Sequence, residues 1–300
     1  MDPARLRLLR ELGDRGSVAA VAVAMRISAS AVSQQLAVLQ AGVGVPLTVK
    51  EGRRLVLTEA GEALAVAGTR VEEALALARG AVDSYLGLDQ QPVRVSAFHS
   101  AALTFFGPLL TELGGSARVQ FTDADVAHDR FAGLTADHDL VIAHRLSHDP
   151  EWPTARLGVT PLLAEPLDIA LHVDHPLAAR SVIRPDQLRD ERWISTHEGF
   201  PLAGVLAHLG AQGGFPPRVE HRINEFSVAA AIVRTGAVIA VMPRTTAASL
   251  AVDGMTLRPV EGVPLIRHVD VLARPDALAR TAVTTVLTAL ATVAADAGGT

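Results

Sequence analysis

The sequence predicts an α/β protein built from a small N-terminal unit of three helices and a hairpin, one long helix, and two α/β lobes with a cleft between them. Three observations carry that expectation. Apolar residues at helical spacing alternate with cap and turn residues over 1–44. An apolar seven-residue repeat runs through 58–88. From Pro92 onward, short β-prone runs alternate with helical stretches to the end of the chain. At 300 residues, 49% of them hydrophobic and 20% charged, the chain has the length and composition for more than one packed core.

In the N-terminal unit, Leu6, Leu8, Leu9 and Leu12 predict a first helix that stops near Gly13 and Gly16. Ser17 is placed to cap a second helix, VAAVAVAMR, whose small side chains permit close packing. Ser28 caps a third after a very short connection from Met25, and two helices joined so tightly form a helix-turn-helix. On a wheel of about 100° per residue, Val32, Leu36 and Leu39 form one apolar stripe. Ser30, Ser33, Gln34 and Ala37 lie opposite. That outer face is short, neutral and hydrogen-bonding, where a solvated face would carry Lys and Glu. It suits close apposition to another surface, either a part of the same protein or the phosphates and base edges of a nucleic acid. The stretch VPLTVKEGRRLVLT then holds two β-prone runs around Glu51-Gly52. Gly52 supplies the turn, and Arg53 and Arg54 sit at or just past the tip of a wing.

Residues 59–88 read as a linker helix. Thr58 can cap it, and Glu59 and Glu62 suit the positive end of its dipole. Leu64, Val71, Ala78 and Tyr85 recur every seven residues, with Gly68, Leu75 and Val82 between them. A single helix roughly 45 Å long cannot bury such a seam on itself. It packs on its own domain or pairs with a second copy, which makes Leu64, Val71, Leu75 and Val82 candidate dimerisation residues. The expected domains are thus 1–58, 59–88 and 92–300.

In the last of these, VRVSAF, ARVQF and DLVIAH read as three strands, and residues 156–173 as two longer strands around Glu165-Pro166. RWIST, RVEHRI, AVIAVM and HVDVLA continue the series. Helices are expected up to Leu113 and over 201–212, 225–235 and 276–296. The extended passage near 155–173, with the alternation restarting at Trp193, suggests two lobes joined by a crossover, and the cleft between such lobes suits a small molecule. Phe98, His99, Ser100 and Ala101 follow the first strand and open a helix whose free N–H groups favour an anion. His144 is expected at the end of the third strand, Thr196 and His197 after RWIS, Phe200 at the start of the facing helix, Phe226 beside another helix start, and Met242 at a strand end. His99, His144 and His197 could converge on an anion, sense pH or hold a metal. No local ligand spacing supports a metal, so neither metal nor cofactor is expected, and a small polar or anionic ligand is.

Net charge is −5, unevenly spread. Residues 1–58 carry eight basic against four acidic side chains, +4, and the remainder 19 against 28, −9. A basic head on an acidic body is the electrostatic footprint of a DNA-binding module attached to something else. The absence of cysteine excludes disulfides, thiolate zinc sites and thiol redox sensing within the chain, and fits a cytoplasmic location. No signal-peptide pattern and no long apolar run point to export or to a membrane. No G-x-S-x-G, P-loop, H-E-x-x-H or Rossmann glycine pattern points to catalysis. The alternatives are a small-molecule enzyme with a fused DNA-binding head, and an architectural DNA binder needing no ligand.

The residues of the head resemble a known family. Gly16-Ser17, the Ala-rich residues 20–25, SASAVS at 28–33, GVPL at 44–47, GRR at 52–54 and LTEAG at 57–61 are similar to the N-terminal segment of the LysR-type transcriptional regulators. EPLDIALHVDHPLA and AVIAVMPR match the later part more loosely. The resemblance implies a winged helix-turn-helix, a dimerising linker helix and a two-lobed effector domain similar to periplasmic binding proteins. It also implies a homodimer or homotetramer on double-stranded promoter DNA, answering to a small effector. Arg26, Ser28, Ser30, Ser33 and Gln34 would then face DNA. Lys50, Arg53 and Arg54 would supply phosphate and minor-groove contacts, and Ser100 and Thr196 would be the best-placed effector contacts. The sequence departs from the family at Ala29-Ser30, where Gln-Pro is usual, at Gln34, where Arg is usual, and at Thr48, where Phe is usual. Gln favours adenine, whereas Arg favours guanine, so the DNA sequence read should differ.

Overall fold

The computed structural model describes residues 1–52, 54–86, 91–200, 202–251 and 254–298. The head is α1 (Pro3–Arg15), α2 (Val18–Met25), α3 (Ala29–Val43) and an antiparallel hairpin of β1 (Thr48–Glu51) and β2 (Arg54–Leu57). α2 and α3 begin on the expected side chains, Ser17 and Ser28, which accept from the N–H groups of Ala20 and Ala31, and α1 is capped by Asp2, which accepts from Ala4 N. Left-handed residues close them, glycine after α1 and α3 but Arg26 (φ 54°) after α2. Leu9, Leu12, Val32, Leu36, Leu39 and Leu47 are buried together as the core of the head.

The linker helix α4 (Glu59–Leu86) is seated by Thr58, whose Oγ accepts from Gly61 N and donates to Pro46 O. Gly61 is buried against the wing, and a Cβ there would collide with the Leu47 carbonyl oxygen. At Gly68 a Cβ would stand 3.3 Å from the Cβ of Leu6. The first half of the seven-residue seam is therefore spent inside the chain: Leu64 is half-buried against the head core and Gly68 against α1. Val71, Leu75 and Val82 are exposed, the last at 56%. The linker past Leu86 lies outside the described residues.

The body consists of β3 (Val93–Ala97), α5 (His99–Leu113), β4 (Val119–Asp123), α6 (Phe131–Leu134), β5 (Leu140–Leu146), β6 (Gly158–His172), β7 (Arg192–Ser195), α7 (Val205–Gly213), β8 (Arg218–Arg222), α8 (Phe226–Val233), β9 (Ile239–Pro243), β10 (Met255–Arg258), β11 (Ile266–Ala273), α9 (Pro275–Leu278) and α10 (Thr281–Gly298). Its nine strands follow the order β4-β3-β5-β11-β6-β9-β7-β8, with β10 also on β6. Residues 156–173 do not form two strands around Glu165-Pro166 as expected. A single strand, β6, runs through both lobes. Its first part pairs with β11 and its last part with β9 and β10. Pro166 is accommodated at the crossing, where Leu167 N donates to Leu265 O of the returning chain. Phe105, Phe131, Ile142 and Leu290 centre the core of lobe I, and Trp193, Ile169 and Leu209 that of lobe II. By length and composition alone α10 could cross a membrane, but its Val283, Val286, Leu290 and Val293 pack in lobe I. The helix expected over 201–212 begins later, at Val205, so Phe200 lies in a turn before it.

Candidate nucleic-acid interface and ligand cleft

The outer face of α3 is exposed. Ser28, Ser30, Ser33 and Gln34 are exposed, directly behind the buried Val32, Leu36 and Leu39. Ser28 Oγ caps the helix and lies 2.9 Å from Ser30 Oγ, while Ser33 donates to Ala29 O at 3.0 Å. The serines are therefore partly satisfied locally, and Gln34 offers the longer unshared amide. Arg26, Lys50 and Arg54 are exposed around this face, and Arg53 lies outside the described residues.

Not all of the basic surplus of the head is available to a polyanion. Arg10 and Arg15 are consumed at a seam between α1, α4 and lobe I. Arg10 pairs with Glu72 and, at 3.1 Å, with Asp276. Glu11 receives Arg274 at 2.7 Å and Arg15 at 2.6 Å, and Asp14 receives Arg274 at 2.6 Å and Arg156 at 3.1 Å. Arg15 reaches on to Asp137, and Arg156 to Glu62. Burial pushes the Glu11 carboxyl up, but the guanidinium groups of Arg274 and Arg15 outweigh it and hold it at about 2. Nothing local in the sequence marks this seam, because all its pairs but Arg15–Glu11 and Arg10–Glu11 join residues far apart in the chain, and each charge alone looks like ordinary surface charge.

Between the lobes lies a narrow cavity with about 20 Å³ of internal space, enough for a water molecule as the lobes stand. Phe98, His99 and Ser100 reach it from the start of α5, which has no side-chain cap, so its first N–H groups are open to a ligand. His144 reaches it from within β5 rather than from its end. Thr196, Phe200 and Phe226 complete the predicted residues that line it. Ala101 and Met242 do not. Both are fully buried, Ala101 in the core of lobe I and Met242 in that of lobe II, because their side chains point into those cores. His197 is exposed outside the cavity, its N–H donating to Asn224 Oδ1, so the three histidines do not converge. Among the described residues no three metal-binding side chains gather.

The floor of the cavity holds what sequence reading missed. Arg267 on β11 is 1% exposed, with its guanidinium 5.0 Å from the Phe98 ring and 5.9 Å from that of Phe226. Its Nε and Nη2 donate to Glu165 at 2.8 and 2.6 Å, and Nη2 also reaches Ser100 Oγ at 3.2 Å and Thr246 Oγ. Arg267 shares the inward face of β11 with Val269 and Val271. A charged residue in that register was the available signal. Asp125 and Glu225 also line the cavity. His99 bridges the lobes, with Nε2 2.9 Å from Asp123 and Nδ1 3.0 Å from Glu225. Burial, reinforced by Arg267 and His128, holds His144 well below the usual histidine range, so it is neutral.

Comparison with known proteins agrees with this division. Residues 3–62 match the family model of bacterial regulatory helix-turn-helix proteins of the lysR family, and residues 87–295 that of the LysR substrate binding domain. The small neutral protease regulatory protein of Streptomyces coelicolor is 32% identical over 252 residues, covering 79% of this chain and 71% of that one. Full-length OxyR from Pseudomonas aeruginosa has the same fold, with a TM-score of 0.64 at 19% identity, over 98% of this chain and 94% of that one. LysG from Corynebacterium glutamicum, solved with arginine as bound effector, reaches a TM-score of 0.62 at 19% identity over 99% of both chains.

Proposed function

The chain belongs to the LysR family of bacterial transcriptional regulators, DNA-binding proteins with an effector-binding domain, and from that premise we propose how its residues divide the work. α3 enters the major groove, where Gln34 reads a base edge, with Ser30 and Ser33 beside it. Arg26, Ser28, Lys50, Arg53 and Arg54 hold phosphates or reach the minor groove and set register more than sequence. Two chains pair through the exposed half of the linker, Val71, Leu75 and Val82, giving a homodimer or homotetramer that recognises an inverted repeat. The small effector binds between the lobes, with Ser100 and Thr196 among its contacts, and biases one arrangement of lobes and heads over another. The chain works in the cytoplasm, where promoter DNA is, and turns over no substrate.

The observation that carries this reading is the neutral, exposed face of α3 over a fully buried Val32, with Arg26, Lys50 and Arg54 exposed and in no ion pair among the described residues. Fluorescence anisotropy with duplex DNA from the upstream region of the protein's own gene tests it. Salt-dependent binding of the intact chain, with sequence preference altered in Gln34→Ala, is expected. Binding that ignores both salt and Gln34 would refute it.

A further inference from the structure

The cavity between the lobes is charged in a way that a simple anion does not fit. Near its floor Arg267 is already neutralised by the fully buried Glu165, and its Nη1 is the guanidinium nitrogen left without an acceptor among the described residues. Together with the uncapped start of α5, it offers donors for one carboxylate. The same cavity holds two carboxylates of its own, Asp125 and Glu225. Glu225 is occupied, accepting from Ser227 N and facing His99. Asp125 has no hydrogen-bond partner among the described residues, and burial, reinforced by Glu225 and opposed by His99 and Arg267, pushes its carboxyl up. A half-buried carboxylate that no hydrogen bond satisfies is stabilised by a cation brought by a ligand. His144, 4% exposed, also lines the cavity with Nδ1 unpartnered, a neutral ring able to accept from a cationic donor.

We propose that the cavity, when the two lobes part around it, takes a small ammonium carboxylate, an amino acid, with its carboxylate toward Arg267 and the first N–H groups of α5 and its ammonium group held by Asp125 with help from His144. Phe98, Phe200, Phe226 and Leu202 form the apolar walls, which suits an apolar side chain on that ligand. The inference rests on the effector reading above and sharpens it. An acid without an amine leaves Asp125 unpaired, and an amine without an acid leaves Arg267 Nη1 and the helix N–H groups unused.

The test uses the intact chain, with thermal shift followed by calorimetric titration against the twenty common L-amino acids. Each one that raises the melting temperature is then compared with its desamino acid and its decarboxylated amine. At least one amino acid with an apolar side chain should bind, and at least tenfold more tightly than either truncated relative. Asp125→Asn should weaken the amino acid at least tenfold while leaving the desamino acid unchanged, and that unchanged binding shows that the cavity is intact. Desamino acids that bind as well as amino acids, an unaltered Asp125→Asn variant, or no amino acid binding at all would each overturn the proposal. Tight binding of a ligand lacking an amine, with a changed DNA affinity, would overturn the amino-acid assignment but leave the effector reading standing. Ligands that bind without changing DNA affinity would overturn the effector reading itself.

Discussion

Replacing Glu11 by Gln attacks the seam that ties the head to lobe I. Glu11 is 2% exposed and receives Arg274 and Arg15 through charged hydrogen bonds of 2.7 and 2.6 Å. Its carboxyl falls from 4.5 to about 2 on folding. That depression corresponds to about 3 kcal/mol of stability at neutral pH. Because the folded pKa is lowered, the contribution is complete above about pH 5 and is lost as pH falls through about 2. Removing one partner of a buried ion pair costs about 3–5 kcal/mol by precedent, so the two routes agree. Differential scanning calorimetry of the wild type and Glu11→Gln between pH 2.5 and 7 should show the variant melting at least ~6 °C lower at pH 7. The gap should close toward the acid end. The comparison Asp137→Asn, at the solvent-exposed end of the same network, should cost only about 0–1 kcal/mol. A gap under 1 °C at pH 7, or one that does not change with pH, would refute the argument.

Three other outcomes are expected. Gly61→Ala should destabilise the head by at least ~2 kcal/mol despite a gain in helix propensity of about 1 kcal/mol, since the new methyl meets the Leu47 carbonyl; denaturant unfolding measures this. Gln34→Ala should change base preference by about 1–3 kcal/mol at one position, whereas Lys50→Ala or Arg54→Ala should weaken all duplexes and reduce the salt slope by about 1, both read by anisotropy. Val82→Glu, at a position 56% exposed in the single chain, should lower the oligomer mass seen by light scattering while shifting the melting temperature of the isolated protomer little.

The head was legible because its signals are local. Ser17, Ser28, Gly16, Gly52 and the Val32–Leu36–Leu39 stripe act within a few residues, and each stands where the sequence placed it. The body was legible in its alternation but not at its crossing. A 15-residue strand broken by Glu165-Pro166 looks like two until β11 and β9 are seen to pair with opposite ends of it. Strand ends pointed correctly to Phe98, Ser100 and Thr196 as lining residues. They also pointed to Ala101 and Met242, because position along the chain does not tell which face of an element a side chain takes. Arg267 left one local trace, a charge in the inward register of β11, whereas Asp125 and the Arg10–Glu11–Arg274 seam were beyond reach, since each draws its meaning from a partner distant in sequence.

Selection from a randomised duplex library by the purified full-length chain, at low ionic strength, is the most direct measurement. Paired heads held by the linker should enrich a site with two-fold symmetry, its half-sites on the same face of the duplex about one helical turn or a multiple of one apart, and Gln34→Ala should shift the enriched bases. Recovered sequences indistinguishable from the starting library would contradict a DNA-reading role for α3.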